Sequence, residues 1–332
     1  EDYVSPAAVM GASLFAHTLR AERDDVDISH VCLVLQAWDA RGGAGVSLPG
    51  MRLLERAGWE VRPIPSQIMN PNYADEDEDG GDYAENSHVW NYNKLWVWSL
   101  TDYERVVYLD SDMLILGDIN HMFDFDVWTE PGTEANDTHR NFAAASDTIP
   151  PDKFNSGVMV LRPSNETFHD MRDAALSGRL TSYNNGDQGF LNAYFDDWHS
   201  MPPASRLRTI YNLPYVMAQY TPLWNLYRKD MLVLHFYGKQ KPWDIIANVA
   251  NAEKKIMIPF GAMPVLYLWG ALEIIVDKPW KKLEDEARYI CMDLFDIESD
   301  GKAVLEYLNS DFLSGKRQMR PRIRADYAKE EL

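Results

Sequence analysis

Val106-Val107-Tyr108-Leu109-Asp110-Ser111-Asp112-Met113-Leu114-Ile115-Leu116 is the stretch that decides how this chain is read. Two apolar, strand-like runs meet at an Asp-x-Asp step. A buried strand that stops at such a step carries two hard oxygen ligands to the rim of a sheet, which suits a divalent cation escorting phosphates. Taken alone, Asp110 or Asp112 serves equally well as the cap of a turn or helix. The rest of the sequence has to separate the two readings.

Helix-like and strand-like segments alternate on both sides of this step. Residues 7–23 have helical apolar spacing, Val31 to Leu35 reads as a short buried strand, and a Gly-rich loop follows at 42–45. Met51 to Ala57 predicts a helix and Trp59 to Ile64 a strand. Residues 91–100 predict a helix leading into the Asp-x-Asp strand. Further on, Asn141 to Ser146 and Val158 to Leu161 read as strands, Asp187 to Phe195 as a helix, and Val233 to Phe236 as a strand carrying His235. This alternation implies an α/β fold whose central sheet is mixed and mainly parallel, wrapped by helices. After Trp243 the pattern changes to longer helical segments with charged ends. Residues 1–244 are therefore expected to form one α/β domain, and residues 245–332 a helical extension packed on it.

Composition narrows the classes. The 332 residues are 46% apolar and 12% aromatic, enough for a sizeable core. A net charge of −19 argues against nucleic acid as a partner, because the surface as a whole repels a phosphate backbone; it leaves room for a small phosphate-bearing ligand at a locally positive site. Cys32 and Cys291 are the only cysteines, so there is no disulfide framework, and both are expected to be reduced and structural. The sequons at Asn136 and Asn165 are what chance gives for this composition and assign no compartment. The apolar stretch Ile256 to Val276 contains Pro259, Gly261, Pro264, Gly270 and Glu273, so no transmembrane span is expected. The acidic runs at 75–82 and 296–301 begin like calcium-binding loops. Their twelfth positions are Asn86 and Tyr307, where a bidentate Glu belongs, so both are expected to be solvated loops, as is the basic run at 316–324.

Four separated segments place polar residues where core or tight turns are otherwise expected. These are Asp110-Ser111-Asp112; Phe154-Asn155-Ser156-Gly157-Val158, which alone reads as a turn before a strand; Asn184-Asn185-Gly186-Asp187-Gln188-Gly189, where Asp187 alone reads as a helix cap; and Leu234-His235-Phe236-Tyr237-Gly238-Lys239-Gln240-Lys241. A His at the end of a buried strand can complete a metal shell begun by two carboxylates. Gly238 lets the backbone come close to a ligand, and Lys241 puts a cation within reach of a diphosphate. Two Asp, one His and one Lys at strand ends of an α/β sheet make a metal–diphosphate site.

The ordered motifs "YLDSDMLIL", "FNSGVMVLRPS", "NNGDQGFLN" and "LHFYGKQKPW" resemble those of glycosyltransferase family 8, the glycogenin-like nucleotide-sugar transferases, over about Tyr3 to Trp243. The middle two are most similar to the plant-type glucuronosyl- and glucosyltransferase branch. The resemblance implies a GT-A fold, a UDP-sugar donor, and Mn²⁺ as the metal with Mg²⁺ as the alternative. It assigns the metal to Asp110, Asp112 and His235, and the donor site to Tyr3 on the uracil, Lys94, Ser111, Asn155, Ser156, Gly238 and Lys241. Asp187 and Gln188 fall beside the anomeric carbon, with Lys241 assisting departure of the diphosphate.

The chain departs from the family pattern at three places. The strand that precedes Tyr3 in the family is not in the sequence, which leads to the expectation that the strand, and any targeting region, lies ahead of Glu1. Asn184 stands where glycogenin has Asp, and Tyr220 lies about one residue out of register with glycogenin's self-glucosylated Tyr. The leading reading is a retaining enzyme that moves a hexose or hexuronate to a carbohydrate, lipid or protein acceptor. A self-glucosylating primer and a catalytically silent nucleotide-sugar-binding module are the alternatives. The cytoplasm and the Golgi lumen both remain open, as does the oligomeric state, a homodimer included.

Overall fold

The computed structural model describes residues 4–17, 27–35, 45–68, 91–125, 141–219, 221–227, 229–238, 241–244, 265–266, 268–270 and 272–273. Helix α1 (Val4–His17) is apolar all round and buried from Pro6 to Leu14, as such a helix must be. Gly11 permits that burial, because a Cβ there would run into the Trp59 indole, whose N–H donates to the Ala7 carbonyl at 2.9 Å. Strand β1 (Val31–Leu35), helix α2 (Leu48–Arg56) and strand β2 (Glu60–Ile64) follow, with β1 and β2 parallel. Ser47 caps α2 by accepting the Gly50 N–H at 3.3 Å.

Asn91–Ser99 is a 3₁₀ helix, where an ordinary helix was expected. The reason is legible afterwards: buried Tyr92, Leu95 and Trp98 recur every three residues, the 3₁₀ period. Beyond it lie β3 (Val106–Leu109), β4 (Met113–Ile115), β5 (Phe142–Ser146), β6 (Phe154–Leu161), α3 (Asn165–Leu176) and α4 (Asp187–Tyr194). The chain continues through β7 (Arg206–Leu207), β8 (Leu213–Pro214), α5 (Thr221–Tyr227) and β9 (Val233–His235).

One sheet has the order β3-β6-β5-β7 and another the order β4-β9-β8. The fold is mixed α/β as expected, but the antiparallel share among the described residues is larger than the alternation of elements implied. β3/β6, β5/β6 and β4/β9 are antiparallel, whereas β1/β2, β5/β7 and β8/β9 are parallel. A short connection joins β5 to β6, closed by the Asp147 N–H donating to the Lys153 carbonyl at 2.8 Å, and short connections favour antiparallel pairs.

Strand β6 starts four residues before the expected Val158, so Asn155, Ser156 and Gly157 lie inside a strand rather than in a turn. A bulge explains how. Ala144 pairs with Met159 but Ala145 with Asn155, which releases residues 156–158 from β5. Side chains of β5 and β6 alternate between two cores. Ala143, Ala145, Val158 and Val160 join α1, β4, β8 and β9, while Phe142, Ala144, Phe154, Met159 and Leu161 join the 3₁₀ helix, α3 and α4. Buried Val265, Leu266, Leu268, Trp269 and Leu272 belong to the first core, with the Trp269 ring 5.3 Å from Phe236 and 5.5 Å from Trp243. Among the described residues no helix is long and apolar enough to cross a membrane. Tyr3, residues 18–23 and 42–44, both acidic runs, Asn136, Tyr220, Cys291, the basic run and most of 245–332 lie outside the described residues.

Candidate active site

The Asp-x-Asp step sits at the joint between two sheets, and each carboxylate is moored to a different one. The Asp110 N–H donates to the Gly157 carbonyl at 2.8 Å, prolonging β3/β6, and the Asp112 carbonyl accepts the Phe236 N–H at 2.9 Å, prolonging β4/β9. Ser111, half-buried, spans the joint. In β4/β9, Met113 pairs with His235, which brings that imidazole beside both carboxylates. His235 Nε2 is 3.2 Å from Asp112 Oδ1 and 3.9 Å from Asp110 Oδ2. One donor atom from each of Asp110, Asp112 and His235 lies within 4.8 Å of the others. Two carboxylate oxygens and one imidazole nitrogen are a donor set that fits Mn²⁺ or Mg²⁺, so the residues expected from the sequence are brought together.

Two ammonium groups flank this cluster. Lys241 Nζ donates to Asp112 Oδ2 at 2.5 Å and to the Phe236 carbonyl at 2.9 Å. Gly238 turns the chain between them with φ of +93°, a conformation that disfavours any side chain, and the space around its Cα is open. Burial alone would raise the Asp112 carboxyl, but His235 and Lys241 outweigh it and hold the group well below the usual range. On the other flank, Lys94 Nζ lies 2.5 Å from Asp187 Oδ2, 3.1 Å from Asp110 Oδ1 and 3.1 Å from Ser156 Oγ. Lys94 is brought there by the 3₁₀ helix and Asp187 by the first turn of α4. Burial opposes both charges, yet the Asp110 and Asp187 carboxylates raise Lys94, and Lys94 in turn lowers Asp187. The Ser156 hydroxyl also donates to Asp187 Oδ2, at 2.9 Å.

Gln188 is held by three side-chain hydrogen bonds. Its amide nitrogen donates to Asp147 Oδ2 at 2.7 Å and to the Tyr183 hydroxyl at 3.0 Å, and its oxygen accepts the Ser156 N–H at 3.3 Å. Asn155 Oδ1 accepts the Gly157 N–H at 3.0 Å and the Asn212 amide at 2.9 Å, so that oxygen is committed inside the protein. Asn184 caps the turn before α4: its oxygen accepts N–H groups of Gly186 and Gly189, each at 3.0 Å, and the Ser182 hydroxyl, also at 3.0 Å. Asn185 follows with φ of +58°, which Asn tolerates.

Sequence reasoning missed Tyr108, whose hydroxyl donates to Asp110 Oδ1 at 2.7 Å, along with Asp147, Tyr183 and Asn212. Tyr108 was legible only as a strand residue, and nothing in the spacing of Asn212 announces that it touches His235. Tyr3 lies outside the described residues.

A family model described as glycosyl transferase family 8 matches residues 56–247. Over 261 residues the chain is 34% identical to UDP-glucuronate:xylan alpha-glucuronosyltransferase 1 of Arabidopsis thaliana, covering 76% of this chain and 33% of that protein. It is 37% identical over 163 residues to glycogenin-1 of Caenorhabditis elegans, covering 49% of this chain and 34% of the relative. The chain thus spans about a third of the length of these curated relatives. Among solved structures, the galactosyltransferase LgtC in complex with donor and acceptor sugar analogs superimposes with a TM-score of 0.52 at 16% identity, over 86% of this chain and 97% of that one. That likeness is one of fold.

Proposed function

The chain belongs to glycosyl transferase family 8 and has the GT-A fold, and from that premise we propose that it moves a hexose or hexuronate from a UDP-sugar to an acceptor hydroxyl with retention of configuration. The observation that carries the reading is the convergence of Asp110, Asp112 and His235 with two half-buried lysines at one sheet joint. Asp110, Asp112 and His235 hold the metal. When bound, the metal supplies positive charge beside the departing diphosphate. Lys241 adds a second cation on the same rim, and Gly238 lets the backbone approach the phosphates.

Lys94 keeps Asp187 ionised beside the reacting sugar, where a fixed carboxylate stabilises oxocarbenium-like charge. The same oxygen of Asp187 accepts from Lys94 and Ser156, which blunts it as a nucleophile. Front-face return, with the leaving phosphate taking the acceptor proton, is the route that follows. Asp187 as a nucleophile is the competing one. Asn155, Ser156 and Gln188 orient the sugar. Residues 1–244 carry this chemistry, with 245–332 as a supporting extension; the family match ending at residue 247 and Trp269 in the shared core support that division.

The test is Mn²⁺-dependent UDP release from UDP-glucose, UDP-galactose, UDP-glucuronate and UDP-N-acetylglucosamine. One donor is expected to be hydrolysed, and Asp110→Asn or Asp112→Asn should abolish both release and metal-dependent UDP binding. Full activity in either variant would sink the metal assignment. The likeness to glycogenin-1 favours a second reading, self-glucosylation. Intact-protein mass after incubation with UDP-glucose and Mn²⁺ separates the two, since only a self-modifying protein gains mass in hexose steps.

A further inference from the structure

We propose that Asn212 is a positioning residue that sets the tautomer of His235, through a hydrogen-bond relay anchored on the backbone of β6. The inference rests on the metal site proposed above. The relay starts at an unambiguous donor, the Gly157 N–H. The Asn155 atom 3.0 Å from it must be the amide oxygen. That oxygen also lies 2.9 Å from the Asn212 side chain, which must present its NH₂ there. The Asn212 oxygen therefore points the other way, to His235 Nδ1 at 3.0 Å. An amide oxygen can only accept, so Nδ1 carries the hydrogen. In the neutral ring this leaves a lone pair on Nε2, the nitrogen that faces Asp112 and Asp110. A metal-ligating His whose other nitrogen donates to a protein oxygen is held in one orientation and one tautomer, and losing such a partner typically weakens metal binding about 10–100-fold.

The surroundings leave the ring little alternative. His235, Asn212 and Asn155 are all buried, and Gly157 lies against the imidazole so closely that a Cβ would occupy the ring's place. Asn212 sits at the end of the 3₁₀ turn Thr209–Tyr211, just ahead of β8, and β8 pairs with β9. The acceptor is thus fixed to the strand next to the one that carries the ligand.

The experiment pairs a tautomer measurement with a metal titration, both without donor sugar. Long-range ¹H–¹⁵N spectra of the metal-free protein are expected to report His235 with hydrogen on Nδ1. Titration with MnCl₂, followed by the free-ion electron paramagnetic resonance signal, should give an affinity about 10–100-fold weaker in Asn212→Leu than in wild type. Asn212→Asp keeps an oxygen facing Nδ1 and should retain the tautomer and bind Mn²⁺ more tightly than Asn212→Leu, although its second oxygen meets the Asn155 oxygen and costs stability. A merely structural role predicts that both variants fail alike. Wild type with no hydrogen on Nδ1, or Asn212→Leu binding Mn²⁺ as tightly as wild type, would overturn the proposal. Should Asn212→Leu not fold, the wild-type spectrum and Asn212→Asp still decide it. Wild type that binds no Mn²⁺ refutes the metal reading instead, and the tautomer measurement then stands separately.

Discussion

Gly157→Ala adds a single methyl group at the most crowded point of the site. An added Cβ would overlap His235 Cε1 and lie 2.7 Å from His235 Nδ1 and 2.8 Å from the terminal methyl of Met113, against about 3.4 Å for ordinary contact. The ring must retreat by about 1 Å, yet Asn212 tethers its Nδ1 and Met113 is fully buried. Overpacking of this kind costs about 1–3 kcal/mol of stability. A ligand displaced by about 1 Å costs far more in function, about 100-fold in turnover. Urea unfolding without metal should therefore report a modest loss, while MnCl₂ titration and UDP-sugar hydrolysis report a severe one. Gly178→Ala is the control, because its φ of +66° imposes strain but no atom stands within 4 Å of the new methyl. If Gly157→Ala bound Mn²⁺ and turned over like wild type, the claim that this glycine seats His235 would be wrong.

Lys94→Met should lose about 3–5 kcal/mol in urea unfolding, since it leaves the buried Asp187 carboxylate without its cation, and should abolish transfer; an unchanged unfolding midpoint would count against a buried ion pair. The pH dependence of stability should be steep on the acid side. Asp112 and Asp187 are held below their ordinary 3.8, so the stability they confer is present above that pH and is lost as pH falls through their lowered values. Unfolding curves between pH 2 and 6 should show that loss, and a flatter profile in Asp187→Asn; identical profiles would refute the assignment.

The Asp-x-Asp strand, His235 and the helix carrying Asp187 could be read from the sequence because each is a local signal, an apolar run ending in a polar residue for the two strands and a polar turn opening a helix for Asp187. The start of β6 could not. Asn155-Ser156-Gly157 has turn chemistry, and only the bulge against β5 keeps it extended. The Asn155–Asn212–His235 relay was equally hidden, since hydrogen bonds spanning 57 and 23 residues leave no periodic trace. The 3₁₀ helix lies between these cases: the three-residue recurrence of Tyr92, Leu95 and Trp98 was visible but was read at the commoner period.

Mooring Asp110 to β6 and Asp112 to β9 also sets the order in which the site can be born. As the chain leaves the ribosome, Asp110 can find its β6 neighbour about fifty residues later, but Asp112 must wait for Lys241, 129 residues downstream. Contacts that distant close slowly, and until this one closes Asp112 lacks its cation. A nascent or truncated chain ending before β9 therefore has both carboxylates and Lys94, but neither the imidazole nor the second cation. Competence to hold the metal becomes a late checkpoint of folding, reached only when β9 docks.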